Sequence, residues 1–515
     1  MYSTILSGAL VGVSAYLVSV EVDIAPGLPG FTMVGSLGPE VRESRERVSV
    51  ALKNVGFDLP PRKVTVNLSP ADKRKEGSPF DLPIAVGMLE SMNYFPEKAT
   101  DNILFLGELG LNGEVKRVRG VLPIVRQAAA MGVRECIVPK ENEREGAVIP
   151  GIHVRGTSHI REVFSYLSVA EEAQRETILP ALSLSAEELL SGQDYPGGLD
   201  FSEVQGQGMA KRAAQIAAAG FHNLLMVGPP GAGKSMIAKR IPGILPPLSL
   251  EECLEVTAVE SVAGVLEENG GLVVKRPFRN PHHTISHAAL VGGGSNPRPG
   301  MISLAHRGVL FLDELPEFQR IALDALRQPL EERRVTVSRT AGNVVYPSDF
   351  MMVCAMNPCP CGYYPDRNRC RCTEPQVKKY MGKVSGPILD RIDLCVELQA
   401  VDVSRLTEQP CEENSLTIRE RVLEARERQK VRFRDSNCRF NADIEVADIN
   451  TYCHLGEKEA AYMEELYKTL KFSARAYHRI LKVSRTIADL EGKEQIEVEH
   501  LTQAAYFRPS LDYWI

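Results

Sequence analysis

A basic leader and a long apolar run are both missing from this sequence. Ile5 to Val20 is apolar, but no Lys or Arg precedes it, and Glu21 and Asp23 follow at once. A secretory signal needs a basic leader and a membrane span needs about 20 apolar residues, so neither fits. Paired strands are expected there instead, with no membrane partner and the cytoplasm as the location. An excess of positive charge is missing too. The net charge is −6, which leaves no overall electrostatic footprint for nucleic acid and confines any DNA or RNA role to local patches. An even cysteine count is also lacking: eleven cysteines in a long chain without an export signal argue against a disulfide framework. No internal repeat or low-complexity tract is evident.

What is present is ordinary globular material. The chain has 515 residues, 44% apolar and 24% charged, too long for one hydrophobic core and consistent with about three domains. Residues 1–167 mix short strands and helices. Lys63–Leu68 alternates apolar and polar, the period of a half-buried strand. A hairpin turn is expected at Leu111-Asn-Gly113, a helix over Leu122–Met131 and a strand over Glu135–Val138. Residues 168–200 are acidic and interrupted. Ala181–Leu190 could be a short helix, but Gly192 and Pro196-Gly-Gly198 break the pattern, so a linker is expected. Residues 201–400 read as α/β with a parallel sheet, its strands at Leu224–Val227, Val309–Leu312 and Phe350–Ala355. Residues 401–515 read as helical, with long helices at Ser415–Val431 and Ala474–Leu490.

One loop carries the strongest chemistry. Gly228-Pro-Pro-Gly-Ala-Gly-Lys-Ser235 matches the G-x-x-x-x-G-K-[ST] phosphate loop, follows an apolar strand and precedes a helix. Gly228, Pro229, Pro230, Gly231, Ala232 and Gly233 would wrap the phosphates with backbone amides. The helix beginning near Lys234 presents its positive end to the anion. The Lys234 ammonium would reach the β- and γ-phosphates of ATP, and the Ser235 hydroxyl would ligate Mg²⁺. Downstream, Gly308-Val-Leu-Phe-Leu-Asp-Glu314 puts two carboxylates at the carboxyl end of a strand, where open α/β sheets bind ligands. Asp313 would hold Mg²⁺ through water and Glu314 would polarise the attacking water. A strand capped by surface acids is common on its own; the phosphate loop upstream decides for the site. Asn357 ends a third strand and suits a γ-phosphate sensor, although Asn is also a frequent turn former. Arg391 and Arg475 suit a finger and a lid sensor for developing γ-phosphate charge. The alternative for both is ion pairing, with Asp390, Asp393 or an acid on the last domain.

From Phe201 onward these pieces resemble the magnesium-chelatase-like branch of AAA+ ATPases, and specifically the YifB/ComM family. The likeness rests on Val204-Gln-Gly-Gln207, Arg279-Asn-Pro-His-His-Thr-Ile-Ser286, Ser303 to Glu314, Ala355-Met-Asn-Pro-Cys-Pro-Cys-Gly362 and Ser473-Ala-Arg-Ala-Tyr-His-Arg-Ile480. The resemblance implies a homo-oligomeric, hexameric ring. Its ComM-type members are DNA helicases that drive branch migration when single-stranded DNA recombines in natural transformation. By the same analogy, residues 276–298 are an inserted loop pointing into the pore. Residues 331–349 are a hairpin whose Arg333, Arg334 and Arg339 could touch a phosphate backbone, partly offset by Glu331 and Glu332. The first domain resembles the Lon proteolytic domain, an α+β fold, through Gly107 to Ile124 and Lys75-Glu-Gly-Ser-Pro79. Pro79 stands where the Lon nucleophile would be and Ala128 where the Lys base would be. A Lon-like fold without peptidase activity is therefore expected, with Ser78, one place off, the sole displaced nucleophile. Two other functions compete: an ATPase motor for a magnesium-chelatase-type complex, and a protein-remodelling ATPase that works without nucleic acid.

Cys359, Cys361, Cys370 and Cys372 crowd into one short stretch. Four thiolates make a tetrahedral zinc site, although C-x-C is a weaker signal than C-x-x-C. Unligated thiols or a redox-linked pair are the other readings. The stretch is basic, with Arg367, Arg369, Arg371, Lys378, Lys379 and Lys383 against Asp366 and Glu374, so it could contact DNA or simply be a solvated face. For His282, His283 and His287, hydrogen-bonding or pore roles are preferred to metal binding.

Overall fold

A computed structural model describes residues 2–190, 198–267, 270–294, 297–339, 342–399 and 413–508. The first domain is built on an eight-stranded mixed sheet. Its order is 181–182, 153–157, 135–139, 103–105, 2–11, 14–25, 63–69, 30–34. The apolar start of the chain forms its centre: Tyr2–Val11 pairs antiparallel with Ser14–Ala25 across a turn at Gly12, whose φ of +62° suits a residue without Cβ. Alternation along Lys63–Ser69 buries Val64, Val66 and Leu68 and turns the other side chains outward. Among the described residues no helix is long and apolar enough to cross a membrane.

The expected linker is partly built into this domain. Glu172–Ile178 is helical, and Ala181–Leu182 adds an edge strand antiparallel to His153–Thr157. Buried Leu179 and the Arg155–Glu176 ion pair (2.6 Å) fasten it there. Edge pairing thus overrides helix propensity at Ala181, and only Ala186–Leu190 of the expected helix is helical. Gly192 and Pro196 lie outside the described residues.

The second sheet is all parallel, in the order 278–279, 309–312, 351–356, 224–227, 394–397. Leu224–Val227, Val309–Leu312 and Met351–Met356 are buried at every position, as parallel strands covered on both faces must be. The helix Gly208–Gly220 packs one face with alanines and shares its core with the last domain, where Ala474–Leu490 contributes Ile480, Leu481, Val483 and Ile487. Ser415–Arg432, Glu457–Leu470 and Val498–Tyr506 complete the helical end.

The first domain docks directly on the parallel-sheet region. Ala258 of the helix Leu250–Ala263 joins the core formed by Val121, Leu122 and Val125. Arg117 donates to the Leu266 carbonyl at 2.6 Å. The hairpin Arg334–Arg339/Gly342–Pro347 places Val344 against Gly12, and Leu10, Val13 and Val344 all pack on one buried cluster. A cavity of about 1070 Å³ opens at this junction, lined by Arg117, Arg119, Arg298 and Tyr346 among others.

Candidate nucleotide site

The phosphate loop connects the interior strand Leu224–Val227 to the helix Lys234–Ile244. Gly231 (φ +78°) and Gly233 (φ +90°) adopt left-handed conformations with open space where a Cβ would stand, so backbone freedom, not crowding, is what demands glycine there. At Gly228 the demand is steric, since a Cβ would lie 2.6 Å from the Leu398 carbonyl oxygen. The first amides of the helix have no intrahelical acceptor and face this opening.

Lys234 turns back over the loop. Its ammonium donates to the carbonyls of Gly228 (2.6 Å) and Pro229 (2.9 Å) and to Asn357 Oδ1 (3.0 Å). Burial pulls its pKa below the ordinary lysine value, while Asp313 and Glu314 pull it back up. Ser235 Oγ donates to Asp313 Oδ2 at 2.7 Å, so hydroxyl and carboxylate share one spot. The Glu314 N–H bonds Asp313 Oδ1 at 2.9 Å. Glu314 itself has φ +52° and a side chain 57% exposed, with Oε2 3.3 Å from His283 Nδ1. Residues far apart in sequence, 228–235, 313–314 and 357, are thus brought together at the carboxyl end of the sheet. Such an arrangement can grip a triphosphate with its magnesium and place a carboxylate beside an attacking water.

The arginines stand further out. Arg391 donates to the Pro387 carbonyl (2.6 Å) and pairs with Glu331, leaving its side chain 11% exposed. Arg475 is 67% exposed and 4.0 Å from Asp390. Ion pairing, the alternative reading, describes both in the isolated chain, although Arg391 takes a different partner from either acid expected. Arg333 is also committed: it pairs with Asp443 of the last domain and lies 3.7 Å from Asp349, so it is not free for a phosphate backbone. Arg334 is exposed beside Glu332. The Arg339 side chain lies outside the described residues.

Two residues of motifs that carry the resemblance make contacts the sequence reading did not foresee. Gln207 bonds the carbonyls of Ala232 (3.1 Å) and Gln399 (2.7 Å), bracing the phosphate loop against the end of the sheet. Arg479, four residues after Arg475 on the same helix, donates to the Ile392 carbonyl at 3.1 Å and so fastens the lid to the core. Its i,i+4 spacing from Arg475 was the available signal.

The four cysteines converge. Sγ of Cys359 lies 3.3 Å from that of Cys361 and 3.8 Å from that of Cys370, and Cys361 and Cys370 are 3.6 Å apart. All four sulfurs fall within 4.8 Å of one another. A tetrahedral site with Zn–S of about 2.3 Å requires S···S of about 3.8 Å, so the donor set fits zinc. The Tyr364 N–H points at Cys359 Sγ (3.4 Å). Burial opposes ionisation of Cys361, but the backbone N–H groups of Tyr363 and Arg371 outweigh it and hold the thiol below its usual range. The loop also touches the phosphate loop: a Cβ on Gly362 (φ +87°) would lie 2.4 Å from Pro230 Cδ. His282, His283 and His287 join no such cluster among the described residues.

In the first domain, Ser78 Oγ bonds Glu108 while the Lys75 ammonium bonds the Pro70 carbonyl. The serine and lysine therefore have separate partners.

Known proteins match along the whole chain. The profile described as magnesium chelatase, subunit ChlI, covers residues 200–406, that of subunit ChlI of Mg-chelatase 20–142, and the ChlI C-terminal profile 412–508. YifB of Escherichia coli (strain K12) is 42% identical over 98% of this chain and 97% of its own length. The chain belongs to the YifB/ComM family. Competence protein ComM of Haemophilus influenzae is likewise 42% identical, over 98% of this chain and 97% of its own. An archaeal Lon protease of Pyrococcus abyssi is 26% identical over 32% of this chain, a partial likeness. As a member of this magnesium-chelatase-like family the protein is an AAA+ ATPase.

Proposed function

We propose that this YifB/ComM protein is a ring motor that hydrolyses ATP to move on single-stranded or branched DNA, acting as a helicase that promotes branch migration during recombination and natural transformation. The observation that carries it is the meeting of Lys234, Ser235, Asp313, Glu314 and Asn357 at the carboxyl end of the parallel sheet, in a chain that matches a competence protein over nearly its full length. Lys234 exchanges its contacts to the loop carbonyls for the β- and γ-phosphates. Ser235 and Asp313 hold Mg²⁺, which neutralises phosphate charge. Asn357, released by Lys234, senses the γ-phosphate, and Glu314 orients and deprotonates the attacking water. Arg391 leaves Glu331 to reach the site of the neighbouring subunit in a hexamer, and Arg475 closes from the lid. Cys359, Cys361, Cys370 and Cys372 hold a structural zinc that stiffens the loop behind Pro230. The domains are residues 1–167, a segment 168–200, the core 201–400 and the lid 401–515. In the Lon-like domain, which lacks the dyad, the fold serves docking.

An unwinding assay on three-stranded and four-way DNA junctions tests this reading. ATP-dependent strand exchange by wild-type protein is expected, and its absence in the Lys234→Ala variant. Junctions left intact by an actively hydrolysing protein would refute the DNA role.

A further inference from the structure

Parallel pairing explains why a histidine touches the hydrolytic carboxylate. Phe278–Arg279 runs beside Val309–Leu312 with Arg279 opposite Leu310. Beyond the ends of both strands the chain reaches His283, in a turn, on one side and Glu314 on the other, and their side chains meet at 3.3 Å. The Glu314 backbone is fixed in the left-handed region and its N–H is held by Asp313, so its carboxylate leaves the strand end in a set direction. The His283 ring is held as well. It stacks on His282 with centroids 4.1 Å apart and stands edge-on to Phe318 at 6.5 Å. Between them, the Ile285 N–H closes a turn onto the His282 carbonyl (2.9 Å), and Ser286 caps the short helix His287–Val291, whose Leu290 is fully buried.

The same segment reaches the junction with the first domain. Gly292–Gly293 pairs with Arg298–Pro299, and the Pro297 carbonyl accepts a hydrogen bond from the Tyr346 hydroxyl (2.7 Å) on the hairpin that packs on Gly12. One end of the insert therefore rests on Glu314 and the other on the hairpin. With Oε2 turned onto the imidazole, the carboxylate has one oxygen fewer to present to an attacking water.

We propose that His283 is a positioning residue that restrains Glu314 until the insert and its hairpin engage DNA and draw His283 away. This rests on the DNA reading above. Displacement of the loop frees Glu314 to orient water, so that ATP turnover is low without a track and rises on it.

Steady-state ATPase of the full chain, with and without a single-stranded oligonucleotide, tests the restraint. His283→Ala is expected to raise the DNA-free kcat about threefold, the rate equivalent of one weak exposed ion pair, with KM for ATP unchanged and the DNA stimulation ratio falling toward one. His283→Leu, which fills the same space without a polar nitrogen, behaves likewise and serves if the smaller side chain unfolds the loop. His283→Asn, whose amide can stand in for Nδ1, returns the DNA-free rate toward wild type. A DNA-free rate in the Ala and Leu variants at or below wild type overturns the proposal. If wild-type turnover ignores DNA, the DNA reading fails separately, while the DNA-free rates still decide the role of His283.

Discussion

At the scale of single residues, the site divides labour by charge state. Lys234 is a buried cation whose ammonium is satisfied by two carbonyls and an amide oxygen. Glu314 is the exposed acid, half free to meet water. Replacing it by glutamine keeps the shape and removes the base. Glu314→Gln is therefore expected to bind ATP normally and hydrolyse it about 10²–10⁴-fold more slowly; single-turnover kinetics measure both, and full turnover would reassign the water-activating role. These residues were legible in the sequence because the chemistry demands fixed types at fixed spacings: glycines for the turn, a lysine and hydroxyl after them, and acids at a strand end. The partners of Gln207 and His283 were not, because the Ala232 carbonyl and Glu314 become their neighbours only once the sheet is assembled. Arg333 was misread for the same reason, since its partner Asp443 is distant in sequence.

At the scale of elements, the strands were readable from their periodicity. Residues 63–69 alternate and residues 224–227 do not, and the burial of each follows. Edge pairing at Ala181 was invisible because two residues carry no period. Neither was the ion network around the hairpin evident. Glu255 on the helix Leu250–Ala263 meets Arg307 (2.6 Å) and His306 (3.2 Å), Arg307 meets Asp349 (2.7 Å), and Arg333 and Arg439 carry the network to the last domain. Burial pushes Glu255 up, but His306 and Arg307 outweigh it and set its pKa at about 2, below the usual 4.5. A depressed carboxylate stabilises the fold above its unfolded value and loses that contribution as pH falls. Denaturation midpoints should therefore drop between pH 4.5 and 2, and less so in Glu255→Gln; equal slopes would remove Glu255 from the network. The cysteine loop makes a second prediction. Purified protein is expected to hold one zinc per chain by metal analysis, and Cys370→Ala none. Gly362→Ala, pressed onto Pro230, should weaken ATP binding about tenfold in a nucleotide titration, equivalent to about 1.4 kcal/mol. Unchanged affinity would show that the two loops are not mechanically linked.

At the scale of the whole molecule, the proposed ring requires a neighbour to complete each site. Arg391 is tied to Glu331 within its own subunit, and its role as a finger requires a neighbour. Arg391→Ala should lose about 10³–10⁵ in kcat alone, yet recover part of it when mixed with a Lys234→Ala protein, since each then supplies what the other lacks at a shared interface. No recovery in the mixture would place Arg391 in structure and not in catalysis. The docking of hairpin, insert and first domain would give the proposed ring a route from the proposed DNA track to Glu314. All of this depends on ATP being split where the sequence and fold place it. The most direct test is the rate of ATP turnover by purified protein at physiological magnesium, wild type beside Lys234→Ala. Magnesium-dependent turnover that falls about 10²–10³-fold in the variant is the predicted result; a wild-type protein that neither binds nor hydrolyses ATP, or a variant that turns over as fast as wild type, would contradict it.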